Sequence, residues 1–185
     1  MNESPFKRAW LIFRRRYLIF LIGFLSGCLG YAAARYTVLN ANIIGSSMEP
    51  ALYDGECTAG IRVHHWMDIG RGDIISFHPP FEEDGTLYVK RIIGLPGETV
   101  IIKDGKIYID GSDTPLSEPY LSDGWTVHAG PYEFHVPEGE YLVLGDNRNE
   151  SYDSRDWKYP YVNRVFITAK SYYVYRPLNR IRYLY

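Results

Sequence analysis

The sequence predicts an all-β, antiparallel-sheet domain behind one N-terminal transmembrane helix, and three observations carry that prediction. An uncharged apolar run occupies residues 17–34. Beyond Asn42 the helical period gives way to short runs rich in Val, Ile, Tyr and Thr, broken by Gly, Pro and Asp. Asp104-Gly105 separates two of these runs, and such a pair readily supplies the positive φ values of a two-residue hairpin turn.

Residues 1–16 form a basic segment, and residues 17–34 form the span. At about 1.5 Å per residue a helix over that run nearly crosses a hydrocarbon core of about 30 Å. Lys7, Arg8, Arg14, Arg15 and Arg16 precede it and only Arg35 follows closely, which places the N-terminus in the cytoplasm and the rest of the chain on the outer face. A cleaved signal peptide shares this layout, with Tyr31-Ala32-Ala33-Ala34 imitating its small-residue exit. The run is longer than the apolar core of about 7–15 residues usual in such peptides. A buried core helix would carry a polar stripe, and this run has none.

Residues 35–42 are expected as a linker and residues 43–176 as the β-rich domain. Within the domain, strands are expected at 73–77, 87–93, 141–144 and 165–175, with the hairpin formed by 99–103 and 106–110. Gly111, Pro115, Pro119, Gly124, Gly130 and Pro131 interrupt residues 110–137, which read as an excursion from the main sheet. The basic and aromatic residues of 177–185 suit a solvated tail or contact with anionic head groups.

Composition narrows the function. The 185 residues leave room for the anchor and one domain. A net charge of -2 gives no electrostatic footprint for nucleic acid. Cys28 lies inside the apolar run and Cys57 well beyond it, which disfavours a bridge between them. The histidines, His64, His65, His78, His128 and His135, stand apart from any serine motif, and no Gly-x-Ser-x-Gly elbow exists for a Ser-His-Asp enzyme. Cys57, His64 and His65 have no recognised zinc spacing.

Ser47 and Lys90 carry the sharper suggestion. A serine hydroxyl needs a base to act as a nucleophile at neutral pH, and a lysine can serve if burial lowers its pKa. In Tyr88-Val89-Lys90-Arg91-Ile92-Ile93, strand alternation sends Lys90 and Arg91 to opposite faces, so one of them is expected to point inward. Lysine is the one whose proton can be removed.

Four blocks extend this pair: Ser47-Met48-Glu49-Pro50, Arg71-Gly72-Asp73-Ile74-Ile75, the run from Tyr88 to Glu98, and Gly145-Asp146-Asn147-Arg148-Asn149-Glu150-Ser151-Tyr152-Asp153-Ser154-Arg155. In order and content they resemble the conserved blocks of bacterial type I signal peptidases. The resemblance implies an antiparallel-sheet catalytic domain with Ser47 as nucleophile and Lys90 as general base, and with the backbone N–H of Ser47 as oxyanion donor. It implies that the Ser151 hydroxyl holds the lysine amine, that Asp153 and Arg155 brace the site, and that Asp146 and Arg148 do similar structural work. It also implies cleavage of exported preproteins after Ala-x-Ala, without cofactor or metal, at the membrane lipid and close to the secretion translocon. Shallow apolar pockets would select the small residues, and Ile43, Met48, Leu52, Tyr88 and Val89 are candidates to line them, with ordinary core as their other assignment.

Two departures are evident. Gly45 stands where some members carry a serine that adds an oxyanion donor, so the chain resembles the glycine-bearing subgroup. Asp156-Trp157-Lys158-Tyr159-Pro160 replaces the usual aromatic pair and glycine. A dedicated maturation peptidase for pilin-like or conjugation proteins would use the same dyad. Self-cleaving repressor-type proteases share Gly-x-Ser-Met, but their cut bond precedes the serine, whereas Ala59-Gly60 follows Ser47. A catalytically silent, membrane-tethered peptide-binding scaffold would lack Ser47, Lys90 or Ser151, and all three are present.

Overall fold

The computed structural model describes residues 5–82, 85–121 and 124–184. The first residues of the expected basic segment, two residues of the excursion and the last residue of the expected tail therefore lie outside the described residues. The chain divides into two compact units, Met1–Val38 and Leu39–Tyr185.

The first unit is a helix, α1, over Pro5–Thr37. Within its stretch Trp10–Thr37 an 18-residue window reaches a mean hydropathy of 1.8, and the stretch is long and apolar enough, by length and composition, to cross a membrane. The helix outruns the uncharged core at both ends, because arginine is a good helix former and no proline interrupts the helix after Pro5. Arg35 is thus helical, and residues 35–42, expected as a linker, divide between this helix and a strand. The helix continues to Thr37, whose Oγ1 donates to the Ala33 carbonyl at 2.9 Å, and strand β1 (Val38–Asn42) follows at once.

The second unit carries β2 (Cys57–Arg62), β3 (Ile74–Phe77), β4 (Tyr88–Gly94), β5 (Thr99–Lys103), β6 (Lys106–Ile109), β7 (Tyr132–His135), β8 (Glu140–Leu144), β9 (Tyr161–Asn163), β10 (Ile167–Arg176) and β11 (Arg182–Tyr183). The larger sheet runs in the order β1-β2-β10-β3-β4-β8-β9, with β11 added to β10. A smaller sheet is ordered β6-β5-β7. The expected hairpin is β5–β6, with Asp104 at φ 51° and Gly105 at φ 68° in its turn. The excursion returns to the sheet as β7 on β5, so only its first part lacks strands among the described residues. Residues 177–184 are mostly exposed to solvent yet tied down: β11 pairs with β10, and Arg182 Nη2 lies 2.6 Å from Oε2 of the buried Glu56.

Alternation along β4 and β8 feeds two cores. Ile92, Tyr141 and Val143 join Phe77, Trp157 and Ile167 on one face, while Ile93, Leu142 and Leu144 join Val100, Ile102, Ile107 and Phe134 on the other. Each such side chain contributes about 1.5–3 kcal/mol when fully buried. Strand β4 is therefore covered on both faces, which corrects the expectation that either Lys90 or Arg91 points inward. Both are buried, at 4% and 1% exposure.

Candidate active site

Ser47 sits on the loop between β1 and β2. The loop is closed by Ile43 N–H to Glu56 O, Gly55 N–H to Ile43 O and Leu52 N–H to Met48 O. Gly45 takes φ 88°, a region glycine enters without steric cost, and its N–H donates to Asp54 Oδ1 at 2.7 Å. Lys90 reaches the loop from β4, with Nζ 2.7 Å from Ser47 Oγ. Burial lowers the Lys90 amine from the ordinary 10.5 to about 8; the carboxylate of Asp153 opposes the fall, Arg155 adds to it, and Asp146 opposes it again. A neutral amine at that separation can accept the serine proton.

The remaining residues cluster on the loop after β8. Asp153 Oδ2 accepts the Gly145 N–H at 2.9 Å, and Arg155 clasps Asp153 through Nε at 2.8 Å and Nη2 at 2.9 Å. Arg155 Nη1 also donates to the Arg148 carbonyl at 2.8 Å, and Arg148 Nε to the Gly145 carbonyl at 3.0 Å. Asn147 N–H donates to the Ser47 carbonyl at 3.1 Å, which joins this loop to the serine loop. Gly145 allows the closest approach: a Cβ there would overlap both the Ser47 carbonyl oxygen and the Ser151 hydroxyl. Ser151 is buried beside it, and its Oγ makes no hydrogen bond among the described residues, to Lys90 or to any other group.

Asp146 pairs with the neighbour of the lysine. Its carboxylate takes two hydrogen bonds from Arg91, at 2.8 and 2.6 Å, with both side chains almost wholly buried. Replacing Asp146 with alanine strands a buried guanidinium, and the loss expected is about 3–5 kcal/mol of unfolding free energy. Denaturant titration of the full chain in detergent measures it; an unchanged midpoint would show that the pair adds no net stability.

A cleft of about 430 Å³ opens beside Ser47. Residues 42–48 line one wall and residues 86–90 the other, with Glu150 and Tyr152 contributing from the loop after β8. Of the expected pocket residues, Ile43, Met48, Tyr88 and Val89 line it. Leu52 does not; it is fully buried in a core with Ile43, Met48, Ile74 and Val174. No histidine lines the cleft, and the Ser46 hydroxyl faces Glu150 at 3.4 Å. Among the described residues no three His, Cys, Asp or Glu side chains gather as a metal site.

The family model "Signal peptidase, peptidase S26" matches residues 15–175. The chain belongs to the signal peptidase I family. It is 39% identical over 149 residues to signal peptidase I of Bacillus licheniformis, covering 75% of this chain and 76% of that protein. It is 33% identical over 185 residues to a probable signal peptidase I-2 of Synechocystis, covering 97% of this chain and 79% of that one. A solved signal peptidase I from Enterococcus faecalis aligns at 35% identity with a TM-score of 0.47, over 56% of this chain and 97% of the other. As a member of the signal peptidase I family the chain is a serine peptidase.

Several site residues were not legible as such in the sequence. Ile44, Leu87 and Tyr152 line the cleft, and each flanks a quoted block, so proximity to Ser47, Lys90 and Ser151 was the available signal. Glu118 pairs with Arg148 at 2.5 Å, and Tyr120 stacks its ring 3.9 Å from the Arg91 guanidinium carbon. Both lie in the excursion, remote from every block. Nothing in the sequence paired them with the arginines of the blocks.

Proposed function

We propose that this signal peptidase cuts preproteins by a Ser47–Lys90 dyad, and the observation that carries the reading is the 2.7 Å approach of a buried lysine amine to the Ser47 hydroxyl. Neutral Lys90 takes the hydroxyl proton as Ser47 Oγ attacks the carbonyl before the cut. The Ser47 N–H stabilises the oxyanion, and Lys90 then gives its proton to the leaving amine. The same amine next activates water to release the acyl group. Ser151 supplies a hydroxyl within the buried site to receive a hydrogen from the protonated amine, while Asp153, Arg155, Asp146 and Arg148 hold the surrounding backbone.

The preprotein segment would lie extended between residues 42–45 and 86–90, where backbone groups can add it as a strand. Ile43, Met48, Tyr88 and Val89 leave room for small side chains, which accords with Ala-x-Ala cleavage. With Gly45 two positions before the nucleophile, the chain falls in the glycine-bearing subgroup and takes no side-chain oxyanion donor from that position. We assign α1 as a single-pass anchor in lipid, with the N-terminus cytoplasmic and the catalytic domain outside, near the translocon where preproteins emerge. The charge asymmetry around the span supports this orientation.

Incubation of the full chain with a precursor bearing an Ala-x-Ala site, followed by N-terminal sequencing of the product, tests the reading. Absence of cleavage, or cleavage elsewhere, would overturn it. The rate is expected to rise with pH, because a lysine pKa lowered to about 8 leaves about a tenth of the amine neutral at pH 7 and nearly all of it at pH 9.5. A rising limb centred near 6.5 would instead point to a histidine.

A further inference from the structure

The part of the excursion between β6 and β7 is fastened at both ends to the smaller sheet. Leu116 N–H donates to Ile107 O at 2.7 Å, Gly105 N–H donates to Ala129 O at 3.1 Å, and Trp125 is buried in the core beneath β5 and β6. From that base it grips the loop after β8 at separate points. Glu118 makes a bidentate pair with Arg148, their side chains 8% and 3% exposed, and Tyr120 O–H donates to Glu118 Oε1 at 2.7 Å. The Trp125 ring lies under the guanidinium groups of Arg148, at 4.8 Å, and of Arg155, at 5.2 Å. Asn149 Oδ1 accepts the N–H groups of Thr126 and Val127 at 2.9 Å each, and its Nδ2 donates to Gly124 O at 3.1 Å.

The gripped loop has no strand pairing of its own, yet Gly145 packs on the Ser47 carbonyl and the same loop bears Asp153 and Ser151. Arg148 is the relay, since it holds the Gly145 carbonyl through Nε while Glu118 holds its other nitrogens. We propose that residues 112–121 and 124–127 form a strap that positions the catalytic loop, with Glu118 as its positioning residue. The inference rests on the Ser47–Lys90 reading above. Loosening the strap frees the Gly145 backbone, tilts the serine loop and lets water reach the Lys90 amine. A small displacement of reacting groups has a large kinetic effect, whereas an extended substrate held by backbone groups along residues 42–45 and 86–90 tolerates it.

The test is a pH–rate series on the full chain in detergent with the Ala-x-Ala precursor, comparing wild type with Glu118→Ala, Glu118→Gln and Asn149→Ala, each rate scaled to the folded fraction. Glu118→Ala is expected to lower kcat on the order of ten- to a hundredfold with KM within about twofold, and to move the rising limb above its wild-type position as water relieves the burial of the amine. Glu118→Gln, which keeps hydrogen-bonding atoms without the charge, is expected to recover part of both effects. Activity that falls only in step with the folded fraction, with an unmoved limb, would reduce the strap to a stabilising element. Should Glu118→Ala not fold, Asn149→Ala decides by the same two readouts, because it releases the exposed end of the grip. A wild type whose limb lies near 6.5 would instead remove the dyad, and with it the strap's catalytic role.

Discussion

Replacing Ser47 with alanine is expected to abolish precursor cleavage, with a fall on the order of a millionfold in the chemical step, the scale seen when a serine peptidase loses its nucleophile. The fold should be spared. Ser47 is a loop residue whose carbonyl takes the Asn147 N–H, and alanine keeps that backbone bond while removing the hydroxyl 2.7 Å from Lys90. Single-turnover cleavage, paired with thermal unfolding, separates loss of chemistry from loss of structure. A folded variant that keeps even about a hundredth of the wild-type rate would mean that another group attacks the peptide.

Lys90→Met is the second large effect. Methionine keeps an unbranched apolar side chain in the buried channel but cannot carry a proton, so the rate is expected to fall by about 10²–10⁴ without loss of fold. The stability profile changes as well. The amine has a lower pKa in the folded chain than the ordinary lysine value, so protonation favours the unfolded state, and wild-type stability rises with pH between about 8 and 10.5. Lys90→Met is expected to lack that rise. A variant with wild-type activity, or one that still climbs in stability over the same window, would show that the relevant proton sits elsewhere.

The hairpin was legible in the sequence because it depends on local chemistry: Asp104-Gly105 specifies its own turn. Ser47 and Lys90 stand 43 residues apart, and the expectation that they act together came from the resemblance of the four blocks. Arg91 was misjudged because alternation tells which residues share a face but not whether a second layer covers the other face. That layer comes from the smaller sheet and the excursion, whose glycines and prolines conceal any period. Strand β1 went unseen because it follows α1 without a break and three of its five residues, Asn40, Ala41 and Asn42, are poor strand formers. Leu52 and Met48 share one buried core near Ser47, and only the packing shows that Met48 also borders the cleft whereas Leu52 does not.

The order of the larger sheet has a consequence in time. Ser47 belongs to the β1–β2 end and Lys90 to the β3–β4 end, and β10 is the strand that joins the two. Along that path β10 is the last in sequence, so the strand that pairs the two halves is the last of them to be synthesised. A segment carrying no catalytic group is thus the one that pairs the half bearing Ser47 with the half bearing Lys90.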